Sequence, residues 1–153
     1  MKILFVCLGN ICRSPMAEYT MRELLRRAGL EGRVQVSSAA TSSDECGNPV
    51  YLPARRELAR HGIRCDGHAA RQLDCRDYER YDLLIGMDNA NLRAMRRICG
   101  GDPGGKLHLL LEYAGRPDEQ VADPWYTGDF ETAWQDVLSG CEGLLRHLQT
   151  VLP

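Results

Sequence analysis

The first fifteen residues constrain the fold most strongly, because an uninterrupted apolar run leads through a short turn into a predicted helix. Ile3–Val6 shows no alternation of apolar and polar residues, which is typical of a strand covered on both faces of a parallel sheet. Pro15 suits the first helical position, and Ser14 before it is the expected N-cap. The stretch therefore predicts a strand, a turn and a helix in immediate succession.

The same alternation of strands and helices continues along the 153 residues. Further strands are predicted at 34–36, 83–87 and 106–111, and helices at about 15–28, 53–61, 89–99 and 130–148. The intervening segments 37–49 and 112–129 are polar and are predicted to be turns and loops. This order predicts an α/β fold, with a four-stranded parallel sheet and helices on both faces, in one domain spanning residues 1–153.

The composition excludes several classes of protein. Hydrophobic residues make up 44% of the chain and charged residues 26%, and no apolar run approaches the length of a membrane helix. A net charge of −2 without a concentrated basic run argues against nucleic-acid binding. The apolar N-terminus is too short for a signal peptide, and the seven cysteines follow neither a disulfide nor a zinc pattern. We expect a cytoplasmic protein with reduced thiols that does not bind membranes.

A short loop without bulky polar residues joins the first strand to the first helix. Gly9 and Asn10 accept left-handed backbone angles, so the N–H groups of the loop can turn inward at the positive end of the helix. The loop should therefore hold an oxyanion, and it lacks the Gly-Lys-Ser/Thr ending of nucleotide-binding loops. The predicted phosphate-binding residues are Leu8, Gly9, Asn10, Ile11, Cys12 and Ser14.

Two side chains convert this loop into a candidate reaction centre. Cys7 lies at the carboxyl end of the first strand, among inward N–H groups and beside Arg13, and is expected to be a thiolate nucleophile at neutral pH. The guanidinium of Arg13 can hold two oxygens of a phosphoryl group during transfer. Neither a metal nor another cofactor is needed for this chemistry. Cys12 is either a packing residue or a second thiol that traps oxidised Cys7 as a disulfide.

Cleavage of a phosphate ester also requires a proton for the leaving oxygen, so a carboxyl group must reach the loop. Asp123 is the best candidate, because it precedes Pro124 in a polar loop. Trp125 and Tyr126 follow it and could form walls around a flat substrate ring.

With these residues in place, the chain resembles the low-molecular-weight protein tyrosine phosphatases. The resemblance rests on "VCLGNICRSPMAE" at 6–18, "SAATS" at 38–42, "GNP" at 47–49, "HGI" at 61–63, "HAARQL" at 68–73, "MDNANLR" at 87–93 and "DPWY" at 123–126. It implies a flavodoxin-like sheet, a phosphocysteine intermediate on Cys7, phosphate binding by Arg13, and Asp123 as general acid and then general base. It also implies a supporting hydrogen-bond network, formed by Asn10, Ser14, Ser38 and His68.

The resemblance further implies a tyrosine-phosphorylated protein as substrate and inorganic phosphate as a bound product. Ile11 and the aromatic pair at 125–126 favour phosphotyrosine over the phosphoarginine hydrolysed by other members of the superfamily. Arsenate reduction through a relay from Cys75 or Cys99, and a thiol switch or phosphate-binding module without turnover, remain alternatives. Asp44 stands at the rim where the family commonly has an aromatic residue, so we expect it to disfavour acidic phosphopeptides.

Overall fold

The computed structural model describes residues 1–153 and contains one sheet of four parallel strands. The strands are β1 (Lys2–Cys7), β2 (Gln35–Ala40), β3 (Leu83–Gly86) and β4 (Leu107–Leu109). Their order across the sheet is β2-β1-β3-β4, with Ile3 opposite Val36 on one side and Leu83 on the other. The predicted α/β class and the four-stranded parallel sheet are confirmed.

Helices cover both faces of the sheet. They are α1 (Arg13–Arg27), α2 (Leu52–Arg60), α3 (Asp77–Arg80), α4 (Asn89–Cys99), α5 (Pro124–Thr127) and α6 (Phe130–Val151), with a 3₁₀ helix at Leu110–Ala114. The larger core lies between the sheet and α1, α2 and α6, and the smaller core lies under α3 and α4. None of these helices combines the length and apolar composition needed to cross a lipid bilayer.

The two cores explain why the opening run does not alternate. Ile3 and Phe5 pack into the larger core, whereas Leu4 and Val6 pack into the smaller one. All four side chains are fully buried. Each face of β1 therefore meets helices, as expected of a central parallel strand.

Several predicted boundaries are wrong, and each has a physical reason. Helix α1 begins at Arg13 and not at Pro15, and Ser14 is not its N-cap, because the Ser14 hydroxyl contacts Cys7 and Asn10 instead. Strand β2 continues through Ser37 to Ala40, since β1 pairs with it along its whole length. Residues 110–111 belong to the 3₁₀ helix and not to β4. The short helix α5 lies in a segment predicted to be a loop, and α3 lies in a segment for which no element was predicted.

Candidate active site

The candidate site lies at the carboxyl end of β1, in the middle of the sheet. The connection leaving β1 leads to β2 on one side, whereas the connection leaving β3 leads to β4 on the other side, so a crevice opens between the ends of β1 and β3. This is where ligands bind in open parallel sheets. The crevice contains a cleft whose lining residues are Cys7, Leu8, Gly9, Ile11, Cys12, Arg13, Ser42, Asp44, Glu45, Asp123, Trp125 and Tyr126.

The loop between β1 and α1 presents a concave set of backbone donors. Asn10 has a φ of 59°, the left-handed conformation predicted for this turn, whereas Gly9 does not adopt it and that part of the prediction is wrong. The Asn10 N–H points at the sulfur of Cys7, with 3.3 Å between N and Sγ. The other loop N–H groups have no acceptor within the chain; they belong to Leu8, Gly9, Ile11, Cys12, Arg13 and Ser14. A loop with this many free donors at the N-terminus of a helix suits a tetrahedral oxyanion.

A chain of buried hydrogen bonds leads from the Cys7 sulfur into the protein. Ser14 Oγ lies 3.0 Å from Cys7 Sγ and accepts a 2.8 Å hydrogen bond from the Asn10 side-chain amide. The same amide donates to Ser38 Oγ at 2.8 Å, and the Ser38 hydroxyl donates to Glu18 at 2.6 Å. Because Ser14 already accepts from Asn10, its own proton is available to the Cys7 sulfur.

Two further contacts hold the turn at Asn10. His68 Nε2 lies 2.8 Å from the Asn10 carbonyl oxygen, and because a carbonyl only accepts, the imidazole donates. The backbone N–H of Arg71 donates to Asn10 Oδ1 at 3.1 Å. Every polar group of the Asn10 side chain is thus engaged, which stabilises a backbone conformation unfavourable for a residue with a Cβ.

Arg13 is almost completely buried and is held by three acceptors. Nη1 donates to Asp88 Oδ2 at 2.7 Å and to the Val121 carbonyl oxygen at 3.0 Å, and Nη2 lies 3.3 Å from Asp123 Oδ2. Burial by itself lowers the pKa of the guanidinium, but the negative charges of Cys7, Asp88 and Asp123 outweigh it, so the pKa is raised above its ordinary value. Arg13 is a permanently charged group with a fixed orientation.

Asp88 is a site residue whose position in the sequence, directly before the predicted helix at 89–99, indicates only an N-cap. It does cap α4, because its Oδ1 accepts a 2.8 Å hydrogen bond from the Asn91 N–H. Its other oxygen, however, is the partner of Arg13. Glu18 was missed in the same way, since nothing in its local sequence indicates that a carboxylate in the middle of α1 meets Ser38.

Asp123 lies at the mouth of the cleft as the N-cap of α5. Its Oδ1 accepts from the Trp125 N–H at 3.1 Å, and its Oδ2 faces Arg13. Trp125 and Tyr126 follow on the first turn and are 51% and 76% exposed, so their rings stand at the rim. Tyr51, a rim neighbour missed in the sequence, packs on Trp125 with 4.8 Å between ring centroids.

Cys12 lines the same cleft as Cys7 but lies in a different electrostatic environment. Burial raises the pKa of the Cys12 thiol to about 12, with further increases from the negative charges of Cys7 and Asp123. Cys12 is therefore a neutral thiol at physiological pH.

The loop from Ser42 to Glu45 forms the remaining side of the cleft. Asp44 is exposed at this rim, as expected, and Glu45 beside it was not singled out in the sequence. Glu45 accepts a 2.6 Å hydrogen bond from the Asn48 side-chain amide, and its stem lies against Gly9. No group of three or more His, Cys, Asp or Glu side chains in the chain is arranged to hold a metal ion.

Comparisons with known proteins agree with this geometry. Residues 2–152 match the family model described as low molecular weight phosphotyrosine protein phosphatase. The chain is 42% identical over 148 residues to the low molecular weight protein-tyrosine-phosphatase YfkJ of Bacillus subtilis, covering 96% of this chain and 95% of the relative. The crystal structure of YfkJ superposes with a TM-score of 0.96 at 40% identity, covering 100% and 97% of the two chains. A Drosophila arginine phosphatase superposes with a TM-score of 0.88 at 32% identity, covering 97% and 98%.

Proposed function

Because this chain belongs to the low molecular weight phosphotyrosine protein phosphatases, a family of cysteine-dependent hydrolases, we propose that it dephosphorylates phosphotyrosine in proteins through a phosphocysteine at Cys7. The family, the fold and the class of enzyme expected from the sequence are thereby confirmed. The roles of individual residues are part of the proposal.

The first step transfers the phosphoryl group to sulfur. The Cys7 thiolate attacks phosphorus in line with the leaving phenolic oxygen, the S–P bond forms, and the P–O bond breaks. The free N–H groups of the loop and the Arg13 guanidinium stabilise the charge on the equatorial oxygens. Protonated Asp123 gives its proton to the departing oxygen, so tyrosine leaves as a neutral phenol.

The second step returns the enzyme to its starting state. A water molecule attacks the phosphorus of the phosphocysteine, and Asp123, now a carboxylate, accepts a proton from that water. The S–P bond breaks, inorganic phosphate is released, and Cys7 is again a thiolate whose charge is supported by the Ser14 hydroxyl. No other co-reactant enters the balance.

The observation that carries this proposal is the loop after Cys7, in which the Asn10 N–H points at the sulfur and the other N–H groups have no acceptor within the chain. Such donors are costly unless an anion uses them, because buried N–H groups are normally paired. Arg13, held by Asp88 and the Val121 carbonyl, adds the positive charge that a phosphate dianion requires.

The direct test is release of phosphate from a neutral phosphotyrosine peptide. We expect turnover in the parent enzyme and a loss of several orders of magnitude in Cys7→Ser and Arg13→Ala. Cys75→Ser, which removes an exposed thiol outside the cleft, is the matched control and should keep parental turnover. Loss of activity in this control, or retention of it in Cys7→Ser, would refute the assignment.

Phosphoarginine is the second substrate to compare, because one solved structure similar to this chain is named as an arginine phosphatase. The rim rings of Trp125 and Tyr126 favour an aromatic leaving group, which they can flank. We expect a higher kcat/KM for phosphotyrosine than for phosphoarginine in matched peptides. The reverse order would reassign the substrate while leaving the phosphocysteine chemistry intact.

The setting of the reaction is also part of the proposal. All seven cysteines are free thiols, which suits the reducing cytoplasm. The partners are a tyrosine-phosphorylated protein and, as product, inorganic phosphate, which should inhibit competitively. We further propose that residues 1–153 act as a single domain without nucleic acid, membrane or cofactor.

A further inference from the structure

A second groove opens from the catalytic cleft on the side of α4. The cleft and the groove are neighbours, since they share five wall residues, namely Leu8, Arg13, Ser42, Asp123 and Tyr126. Beyond these, the groove follows one face of α4, where Ala90 and Ala94 lie one turn apart. The small alanine side chains leave space beside the helix for an occupant.

The free charge in this groove is positive. Arg97 lies one turn beyond Ala94 on the same face, is exposed, and makes neither an ion pair nor a side-chain hydrogen bond within the chain. Asp88 also lines the groove, but both of its oxygens are engaged, one by Arg13 and the other by the N-terminus of α4. Arg97 is therefore the charge available to a ligand.

The part of the cleft that lies outside the groove carries free negative charge. Asp44 and Glu45 line the cleft but not the groove, and neither forms an ion pair with a basic side chain. The only side chain that contacts the Glu45 carboxylate by hydrogen bond is the neutral amide of Asn48. A peptide that runs from this part of the cleft into the groove therefore meets acidic groups in the cleft and Arg97 in the groove.

We infer that the α4 groove binds an acidic side chain next to phosphotyrosine through Arg97, while Asp44 and Glu45 favour a basic side chain on the opposite flank. This inference rests on the proposed phosphotyrosine activity and adds its substrate class. An extended peptide advances about 3.3 Å per residue, so side chains within a few positions of phosphotyrosine reach both sides. Asp44 is then expected to disfavour acidic side chains only on the flank of phosphotyrosine that faces Asp44 and Glu45.

The test uses a neutral phosphotyrosine peptide and variants carrying one Glu or one Lys at each of the three positions before and after phosphotyrosine. We expect Glu to raise kcat/KM on one flank and Lys to raise it on the other. Each effect should be roughly two- to fivefold, the range for an exposed ion pair, and should shrink as salt increases. Identical profiles for Glu and Lys would overturn the inference.

Variants then assign each preference to its side of the cleft. Arg97→Gln should abolish the preference for Glu and keep the preference for Lys. The double variant Asp44→Asn, Glu45→Gln should abolish the preference for Lys and keep the preference for Glu. Arg93→Gln removes the same charge from the same helix but lies outside the groove, so it should keep both preferences.

The outcomes separate this inference from the proposed function. A preference for Glu that survives in Arg97→Gln, or that is lost equally in Arg93→Gln, would overturn the role of the groove. A parent enzyme that hydrolyses the neutral peptide but shows a flat charge profile would refute this inference alone. A parent enzyme inactive on the neutral peptide and on p-nitrophenyl phosphate would refute both.

Discussion

Asp88 and Arg13 form a 2.7 Å ion pair beneath the candidate phosphate site, although they are 75 residues apart in the sequence. The pair joins the first turn of α1 to the start of α4, and Asp88 also caps α4. One carboxylate thus fixes both the guanidinium and the helix beside it. The orientation of Arg13 is therefore set before any substrate arrives.

Replacing Asp88 with alanine should lower kcat/KM by about 10- to 100-fold, the loss expected when a hydrogen bond to a charged group is removed. Competitive inhibition by phosphate should weaken in parallel, because Arg13 is no longer oriented. Asp129→Ala is the matched control, since Asp129 caps α6 through the Thr132 N–H and lies outside the cleft. Asp129→Ala should lose about 1 kcal/mol of unfolding free energy as a cap, and Asp88→Ala should lose more, because it also removes an ion-pair partner of buried Arg13; only Asp88→Ala should lose activity. Equal kinetic losses would reduce Asp88 to a capping residue.

Asp123→Asn should affect substrates according to their leaving group. Turnover should fall most for phosphotyrosine, whose phenolic oxygen needs a proton, and least for p-nitrophenyl phosphate, whose leaving group is a stable anion. The measurement is a series of aryl phosphates with graded leaving-group acidity. Equal losses of turnover across the series would indicate that Asp123 acts only as the N-cap of α5. Another residue would then have to be the general acid.

The sequence was sufficient to predict the position in the fold of residues that depend on local pattern. Cys7 and Arg13 flank a loop between an unalternating strand and a helix, and both features are visible without tertiary information. Asp88 could be predicted only as a helix cap, because its contact with Arg13 depends on how β1 and β3 pair. Tertiary pairing likewise extended β2 through a serine-rich segment whose local propensity favours a turn.

The contacts at the rim were the hardest to predict. Glu45 and Tyr51 act at the cleft through neighbours distant in sequence, Gly9 and Trp125 respectively. Short helices also escaped prediction, because four residues such as those of α5 hold too little periodicity to detect.

Oxidation of the cleft thiols should depend on pH through Cys12. Peroxide converts Cys7 to a sulfenic acid, and the Cys12 thiolate must then attack that sulfur and displace hydroxide to form a disulfide. Burial raises the pKa of the Cys12 thiol, so its thiolate fraction grows as pH rises. Disulfide yield relative to Cys7 sulfinic acid should therefore increase from about pH 6 to about pH 9.

Mass spectrometry of peptides from the oxidised enzyme measures this partition, and Cys12→Ser should give no disulfide at any pH. Added thiol should restore activity only where the disulfide has formed. A yield independent of pH, or irreversible oxidation of Cys7 with Cys12 free throughout, would contradict the trapping role.

Asn10 combines a backbone requirement with a hydrogen-bonding one, and two variants separate them. Asn10→Gly accepts the φ of 59° but loses the hydrogen bonds to Ser14 and Ser38. Asn10→Ala loses the same hydrogen bonds and also tolerates the left-handed backbone poorly. We expect Asn10→Ala to be less stable than Asn10→Gly by about 1 kcal/mol, measured by denaturant unfolding. Both should bind phosphate more weakly than the parent. Equal stability of the two variants would show that the left-handed turn costs nothing here.

The central claim is that the phosphoryl group passes through Cys7. Rapid acid quench during turnover of p-nitrophenyl phosphate, followed by mass spectrometry, detects that intermediate directly. Asp123→Asn should accumulate more of it than the parent, because the water that attacks phosphorus loses its base. We predict one phosphoryl group on the peptide that contains Cys7, attached to Cys7 and absent in Cys7→Ser. Turnover without any phosphorylated Cys7 in either enzyme, or a phosphoryl group on another residue, would contradict the account.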